Sequence, residues 1–218
     1  MEKILVLSDI HYPLPESELF EDIIFKESPD KVFLLGDNVD NYGTNYDLLE
    51  LYKEFIERFS VIFPLEKTAI ILGDNDYQGD ERIIRYINSL RKLNSNAFTY
   101  TYKNLFLFHG NIENGNHAME LLGKYAGLAM KGINKTLLPE LLMKRIRSTY
   151  NIEKDKIVLA GHIHYLGRVN GGVFCGTLNT TPIIYKGKDS LGYVIIESNN
   201  SEIDYEDIKI NTTFKLYF

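Results

Sequence analysis

Short, continuous apolar runs alternate with amphipathic segments through the first half of this chain, and that alternation constrains its fold more than any other feature. The runs are KILVLS at residues 3–8, KVFLL at 31–35 and TAIIL at 68–72. Their length and their β-branched side chains are typical of strands that are buried on both faces. The segments with apolar residues at helical spacing are 16–26, 46–59 and 81–93. This order predicts an α/β sheet with right-handed helical crossovers.

The second half of the chain predicts a second sheet and a helical insertion. Residues 97–102 and 105–108 are expected to form a hairpin, and 157–160 a further buried strand. Between them, apolar residues at helical spacing extend over 116–150, with a break near Gly132. Further short strands are predicted at residues 167–170, 173–176, 182–185, 192–197 and 201–209. We therefore expect a two-sheet α/β sandwich, a single domain over residues 1–218, with a helical insertion or cap at 113–152.

Aspartate and histidine side chains directly follow several of these strands. The groups are Asp9-Ile10-His11, Gly36-Asp37-Asn38-Val39-Asp40, Gly73-Asp74-Asn75-Asp76, His109-Gly110 and Gly161-His162-Ile163-His164. They contain four of the five histidines in the chain. Because open α/β sheets bind their ligands at the carboxyl ends of the strands, we expect these side chains to converge at one edge.

Each of these groups alone has an ordinary structural explanation. Asp9 and His11 could belong to a helix-capping loop, and Gly36-Asp37 could form a turn and a helix N-cap. The joint pattern favours a metal site instead, because a mixture of nitrogen and oxygen ligands suits first-row divalent ions. A pair of such ions would neutralise a phosphate group and activate water for its hydrolysis.

The composition limits the partners and the location that we expect. The net charge is −6 and there is no basic arm, which argues against duplex DNA as the main ligand without excluding nucleic acid. A small phosphorylated substrate remains compatible, because bound cations reverse the sign of the local field. Cys175 is the only cysteine, which excludes an internal disulfide. The sequence shows neither a signal peptide nor a run long enough to span a bilayer, and we expect a cytoplasmic protein.

The strand-end groups resemble the signature of the calcineurin-like metallophosphoesterase superfamily, whose pattern covers about residues 1–197. The matching motifs are D-x-H at Asp9–His11, G-D-x-x-D at Gly36–Asp40, the single His109 and G-H-x-H at Gly161–His164. The resemblance implies a four-layer α/β/β/α sandwich and two divalent ions roughly 3.5–4 Å apart, with a hydroxide shared between them attacking phosphorus in line. Manganese is the expected metal, and iron, nickel, zinc and cobalt are alternatives.

By the pattern of that superfamily, three residues would hold one ion, three would hold the other, and one would bridge the two. The first three are Asp9, His11 and His164, the second three are Asp74, His109 and His162, and the bridging residue is Asp37. Members of the superfamily usually have Asn at the position of Asp74, so Asp74 adds a negative charge to the second set. We therefore expect tighter metal binding and a weaker electrophile.

A second departure concerns the catalytic histidine of the superfamily, which is Asn75 here. In typical members that histidine is oriented by the last aspartate of G-D-x-x-D, here Asp40. An amide cannot supply a proton as an imidazolium can, so leaving groups that need little protonation are favoured. GDNDY at residues 73–77 resembles the corresponding segment of UDP-diacylglucosamine hydrolases, which also lack this histidine. His117 is either a packed helix residue or a substitute proton donor.

The expected function is hydrolysis of a phosphodiester or pyrophosphate bond. Two alternatives stay open: a nuclease that acts on single strands or ends, and a scaffold that keeps the fold without catalysis. The acidic charge counts against the nuclease. The complete set of metal-binding side chains counts against the silent scaffold. Nothing in the sequence indicates an oligomeric state.

Overall fold

The computed structural model describes residues 1–14, 18–41, 45–90, 97–110, 137–178 and 190–213, which form two mixed β-sheets with flanking helices. The strands are β1 (Glu2–Leu7), β2 (Lys31–Leu35), β3 (Thr68–Ile71), β4 (Thr99–Tyr102), β5 (Leu105–Phe108), β6 (Ile157–Ala160), β7 (Leu166–Val169), β8 (Gly172–Cys175), β9 (Gly192–Ser198) and β10 (Ile208–Thr212). The α-helices are α1 (Leu19–Glu27), α2 (Leu48–Ile62), α3 (Asp74–Tyr77), α4 (Glu81–Leu90) and α5 (Leu137–Thr149).

Each sheet has a parallel centre and antiparallel edges. The first sheet has the order β10-β9-β1-β2-β3, in which β1, β2 and β3 are parallel to one another and β9 is antiparallel to β1. The second has the order β4-β5-β6-β8-β7, in which β5, β6 and β8 are parallel. Parallel strands direct their carboxyl ends to the same edge, so the residues that follow β1, β2 and β3 are neighbours, as are those that follow β5 and β6.

Alternate side chains of the buried strands face different layers of the molecule. In β1, Leu5 packs with helices α1, α2 and α4, whereas its neighbour Val6 packs against the second sheet. In β6, Leu159 faces the first sheet and Val158 packs with α5. The order of layers is therefore helices, sheet, sheet and helix. The α/β/β/α sandwich expected from the sequence is confirmed.

Helix α2 connects the core to the loop that follows β1. The helix begins after Asp47, whose side chain accepts hydrogen bonds from the amides of Leu49 and Glu50. The helix buries Phe55, whose ring lies 5.7–6.2 Å from the rings of four neighbours. These are Tyr12, Phe20, Tyr52 and Phe59. Because Tyr12 directly follows His11 in the chain, this packing also fixes the loop after β1.

The structure corrects one predicted strand and adds one helix. The strand expected over 201–209 begins only at Ile208, because Asn104 holds Ile203 through both its backbone N–H and its carbonyl, and a 3-10 turn follows at Tyr205–Asp207. The short helix α3 was not expected. The strand predicted at 182–185 and the part of the predicted insertion before 137 lie outside the described residues. Within that insertion the described part contains α5.

In the described part of the chain, no helix is long and apolar enough to cross a membrane.

We predict that Phe55→Ala lowers the free energy of unfolding by about 3–5 kcal/mol, because it leaves a cavity among four aromatic rings. Val61→Ala is the matched control in the same helix, since Val61 is 87% exposed, and it should change stability by less than about 0.5 kcal/mol. Urea unfolding of metal-free protein, followed by circular dichroism, measures both. Equal effects of the two substitutions would contradict the packing described for α2.

Candidate metal centre

The loop after β1 and the loop after β2 are joined by backbone hydrogen bonds beyond the ends of the strands. The amides of Asp9, His11 and Tyr12 donate to the carbonyls of Gly36, Asp37 and Asn38 at 3.0, 2.9 and 2.8 Å. This pairing continues the parallel register of the two strands to a bridge between Tyr12 and Val39. The two loops therefore hold the D-x-H and G-D-x-x-D motifs side by side.

Five of the seven predicted metal ligands have left-handed backbone conformations. They are Asp9 (φ 52°), His11 (φ 54°), Asp37 (φ 49°), His162 (φ 70°) and His164 (φ 52°). A non-glycine residue in this region costs on the order of 1–3 kcal/mol and persists only where the surrounding structure imposes it. The paired loops impose it here, and strain of this kind is characteristic of functional sites.

One group of side chains combines two carboxylates with two imidazoles. Asp37, Asp74, His109 and His162 each offer a ligand atom, and these atoms all lie within 4.8 Å of one another. His109 Nε2 lies 3.2 Å from oxygens of both Asp37 and Asp74, and His162 Nδ1 lies 3.1 Å from Asp74 Oδ1. Solvent reaches this group, since 43% of the Asp74 side chain and 21% of the His162 side chain are exposed.

The second group is buried and contains a single carboxylate. Asp9, His11 and His164 offer ligand atoms that also lie within 4.8 Å of one another. His164 Nε2 lies 3.2 Å from Asp9 Oδ1. Asp9 Oδ2, by contrast, accepts hydrogen bonds from Ser8 Oγ at 2.5 Å and from the amide of His162 at 3.1 Å. These donors turn the other oxygen of Asp9 towards the histidines.

Two buried atoms identify where a cation fits. Within the described part of the chain, Asp9 Oδ1 and His109 Nε2 accept and donate no hydrogen bond although both are enclosed by protein. Buried polar atoms are nearly always satisfied, so such atoms call for a partner of another kind. His109 Nδ1 donates to the carbonyl of Leu35 at 2.7 Å, which leaves the lone pair of Nε2 for a metal ion. The donor set of carboxylate oxygens and imidazole nitrogens suits a first-row dication.

The electrostatics of the centre also favour a cation. Burial alone would lower the pKa of His109, but the negative charges of Asp37 and Asp74 raise the pKa well above its usual value. The pKa of His11 is raised in the same way, against the effect of burial, by Asp40, Asp37 and Asp9. A field that stabilises a proton on a buried imidazole also stabilises a bound dication, because both are positive charges.

A buried polar network supports the centre and was not singled out from the sequence. Asp76 accepts hydrogen bonds from the amides of Gly73 and Val39, both at 2.9 Å, and from the Asn38 side chain at 3.2 Å. Its burial and the nearby Asp37 charge raise the pKa of Asp76 to about 7. Asp76 thus joins the loop after β2 to the loop after β3. Its place in the G-D-N-D motif was the only sequence signal for this role.

Thr177 supports the backbone of Asp9 from the loop after β8. Its hydroxyl donates to the carbonyl of Asp9 at 2.8 Å. Threonine is not one of the residue types that the sequence indicates as metal ligands. The only sequence signal at this position is the end of the apolar run of β8 at Gly176. Contacts of this kind between distant segments follow from the sheet order, which sequence spacing does not specify.

The three residues predicted to take part in catalysis have different positions relative to the centre. Asn75 contacts Asp37 twice, through its backbone amide at 2.9 Å and its side-chain amide at 2.7 Å. Asp40 Oδ2 lies 3.3 Å from His11 Nδ1. His117 lies outside the described residues, and its role stays a prediction.

Comparison with known proteins gives one family and several similar folds. The sequence model described as calcineurin-like phosphoesterase matches residues 2–168. A search among curated proteins finds no match to this chain. The solved structure of a novel archaeal phosphodiesterase has a TM-score of 0.50 at 16% identity, over 96% of this chain and 99% of that chain. A dimetal phosphatase from Danio rerio has a TM-score of 0.52 at 11% identity, over 97% of this chain and 95% of that chain. At these identities, the likeness shows a shared fold.

We predict that Gly161→Ala weakens divalent metal binding by at least about tenfold. Loss of a single outer contact to a metal ligand typically costs roughly 10–100-fold in affinity, and this substitution would displace the ligand Asp9 itself. A Cβ atom at this position would lie 1.9 Å from Ser8 Oγ and 2.7 Å from Asp9 Oδ2. Calorimetric titration with Mn²⁺ measures the affinity. The double variant Ser8→Ala/Gly161→Ala should recover part of it, since it removes the closest clash, and Ser8→Ala alone is its reference, because that variant loses the Ser8 hydrogen bond to Asp9 without the added Cβ. Unchanged affinity in Gly161→Ala would show that Asp9 is not held as described.

Proposed function

Because this chain belongs to the calcineurin-like phosphoesterase family and is a metal-dependent phosphoester hydrolase, we propose that it cleaves a phosphodiester or pyrophosphate bond at a centre with two divalent ions. The observation that carries the proposal is the presence of two adjoining Asp/His groups, each compact enough to hold one ion. Two ions bound there would neutralise the charge on the phosphate and activate the attacking water.

The side chains divide between the two ions according to the groups in which they lie. Asp9, His11 and His164 would hold one ion, and Asp74, His109 and His162 would hold the other. Asp37 would be shared by the two. This last assignment rests on the pattern of the superfamily, and Asp37 Oδ2 lies 3.2 Å from His109 Nε2 in its own group. We propose manganese as the metal, with iron, nickel, zinc and cobalt as alternatives, because the mixed ligands suit this series.

Asn75 limits the substrate to a phosphate with a good leaving group. Its side-chain amide can hydrogen-bond an oxygen but cannot transfer a proton to it, and general acid help is typically worth 10²–10⁴-fold. Its two hydrogen bonds to Asp37 place Asn75 beside the centre. Pyrophosphate linkages and aryl or strained diesters need little protonation as they break. They form the proposed substrate class.

The remaining finer assignments rest on the sequence. His117 is proposed as a substitute proton donor or substrate contact, and Asp40 as a residue that acts through a neighbouring side chain. A small phosphorylated molecule is the proposed substrate, and the acidic net charge of −6 disfavours a long nucleic acid. The cytoplasmic location stays a prediction.

We predict hydrolysis of bis(4-nitrophenyl) phosphate in the presence of Mn²⁺, its loss after chelation and its recovery when Mn²⁺ is restored. Two ions per chain should be found by elemental analysis. Asp37→Asn should lower kcat/KM by more than the roughly 10–100-fold that is typical when only an outer contact to a metal ligand is lost. The matched control is Asp22→Asn on the exposed face of α1, which should retain full activity. A protein that binds two ions and turns over no diester or pyrophosphate would contradict the proposed function.

We predict that Asn75→His increases the hydrolysis of alkyl diesters, relative to aryl diesters, by about tenfold, which is less than the 10²–10⁴-fold that is typical of a general acid. The gain should be modest because the variant also loses the Asn75 side-chain contact to Asp37. Rates over a series of leaving groups give the measurement, and the dependence of rate on leaving-group pKa should become weaker. A uniform change across the series would mean that position 75 does not face the leaving group.

A further inference from the structure

Asp40 and His11 form a contact that connects the G-D-x-x-D motif to the buried metal group. Asp40 Oδ2 lies 3.3 Å from His11 Nδ1, and the two side chains are only 14% and 4% exposed. We infer that Asp40 is a positioning residue for His11 and supplies the buried group with a negative charge in addition to those of Asp9 and the shared Asp37. The inference rests on the proposed function only in taking Asp9, His11 and His164 as ligands of one ion and Asp37 as shared by the two ions.

The backbone brings the two side chains together. The amide of His11 donates to the carbonyl of Asp37, and the amide of Asp40 donates back to the carbonyl of Tyr12 at 3.0 Å. Asp40 is therefore tied to the residue that follows His11, on the same paired loops. Because these hydrogen bonds fix the backbone of both residues, little further conformational entropy is lost when the two side chains make contact.

The chemistry of the contact determines which nitrogen of His11 can bind an ion. A carboxylate oxygen can only accept, so Nδ1 carries the hydrogen and donates it to Asp40. The lone pair of a neutral imidazole is then on Nε2. His109 shows the same arrangement, because its Nδ1 donates to the Leu35 carbonyl and its Nε2 faces Asp37 and Asp74. The difference is that His109 is oriented by a neutral carbonyl and His11 by a carboxylate.

Burial explains why the two orienting groups differ. If Asp37 is shared by the two ions, each ion also faces one carboxylate of its own, Asp74 or Asp9. Solvent reaches the group around Asp74, whereas Asp9, His11 and His164 are all buried, and a dication in a buried site needs more compensation from the protein. Asp40 supplies this further negative charge. Because Asp40 is itself largely buried, its charge is weakly screened by solvent and salt.

Asn75 makes a comparable contact to the other group. Its side-chain amide donates to Asp37 at 2.7 Å. Asp40 and Asn75 thus each contact a ligand of a different group. Asp40 supports the buried group and Asn75 supports the solvent-accessible one.

Titration of metal-free protein with Mn²⁺, in the absence of substrate, tests the inference. Wild type should show two binding events, and His11→Ala and His162→Ala identify which event belongs to which group. Asp40→Asn keeps the shape and an accepting oxygen but removes the charge, and Asp40→Ala removes both. Each should weaken the event that is lost in His11→Ala by about 10–100-fold, with the larger loss in Asp40→Ala. Asn75→Ala is the matched control: it removes a side-chain contact to the shared Asp37 and should not weaken the His11 event selectively.

A spectroscopic measurement separates positioning from a general structural effect. In the Zn²⁺-loaded protein, ¹⁵N NMR of the imidazoles should show a slowly exchanging proton on His11 Nδ1, and this proton should exchange rapidly in Asp40→Ala. Thermal unfolding of the metal-free variants checks that they fold, and Asp40→Asn decides the result if Asp40→Ala does not.

Wild-type affinity in both Asp40 variants would overturn the inference. Loss in Asp40→Ala alone would support positioning through the hydrogen bond and would overturn the part that concerns charge. Because no substrate is present, a protein that binds both ions but hydrolyses no phosphate would contradict only the proposed function. Normal hydrolysis with unaltered binding in the Asp40 variants would contradict only the role of Asp40.

Discussion

The structure depends on the concentration of carboxylates at one edge of two packed sheets. Asp9, Asp37 and Asp76 are buried, and Asp74 stands beside them. Carboxylates that are buried close together repel one another strongly because the dielectric constant is low there, and hydrogen bonds alone do not remove this repulsion. Four imidazoles and a set of backbone amides compensate it in part. Bound cations would complete the compensation, so metal binding and stability should be linked in this fold.

The four-layer arrangement makes this concentration possible. Strands that alternate their side chains between two apolar layers fix the backbone rigidly, so the loops at their carboxyl ends start from defined positions. The left-handed residues in those loops are maintained by hydrogen bonds between neighbouring loops. Such strain would relax in an isolated segment. The packing energy of the sheets and helices therefore supports a local geometry that the loops alone would not adopt.

Much of this arrangement could be predicted from the sequence because apolar periodicity and strand-end residues are local signals. The runs at 3–8, 31–35 and 157–160 and the groups that follow them correspond to β1, β2, β6 and the candidate centre. Other features depend on contacts between distant segments. Asn104 determines where β10 can begin, and Thr177 reaches Asp9 across more than a hundred and sixty positions of the chain. The pairing of Asp40 with His11 likewise follows from loop register, which side-chain spacing alone does not define.

The joined loops after β1 and β2 have a consequence for how specificity can vary among relatives of this chain. A substitution that shifts one of these loops would shift Asp9, His11 and Asp37 together, since shared backbone hydrogen bonds bind the segments into a single wall. Substitutions in these two loops would therefore disturb several candidate metal ligands at once. The side around Asp74 and His162 is open to water, and a phosphorylated substrate would reach the ions from there. Preferences for different substrates would then be set by residues that border this open side, since neither the ligands nor the joined loops could change without loss of the metal site.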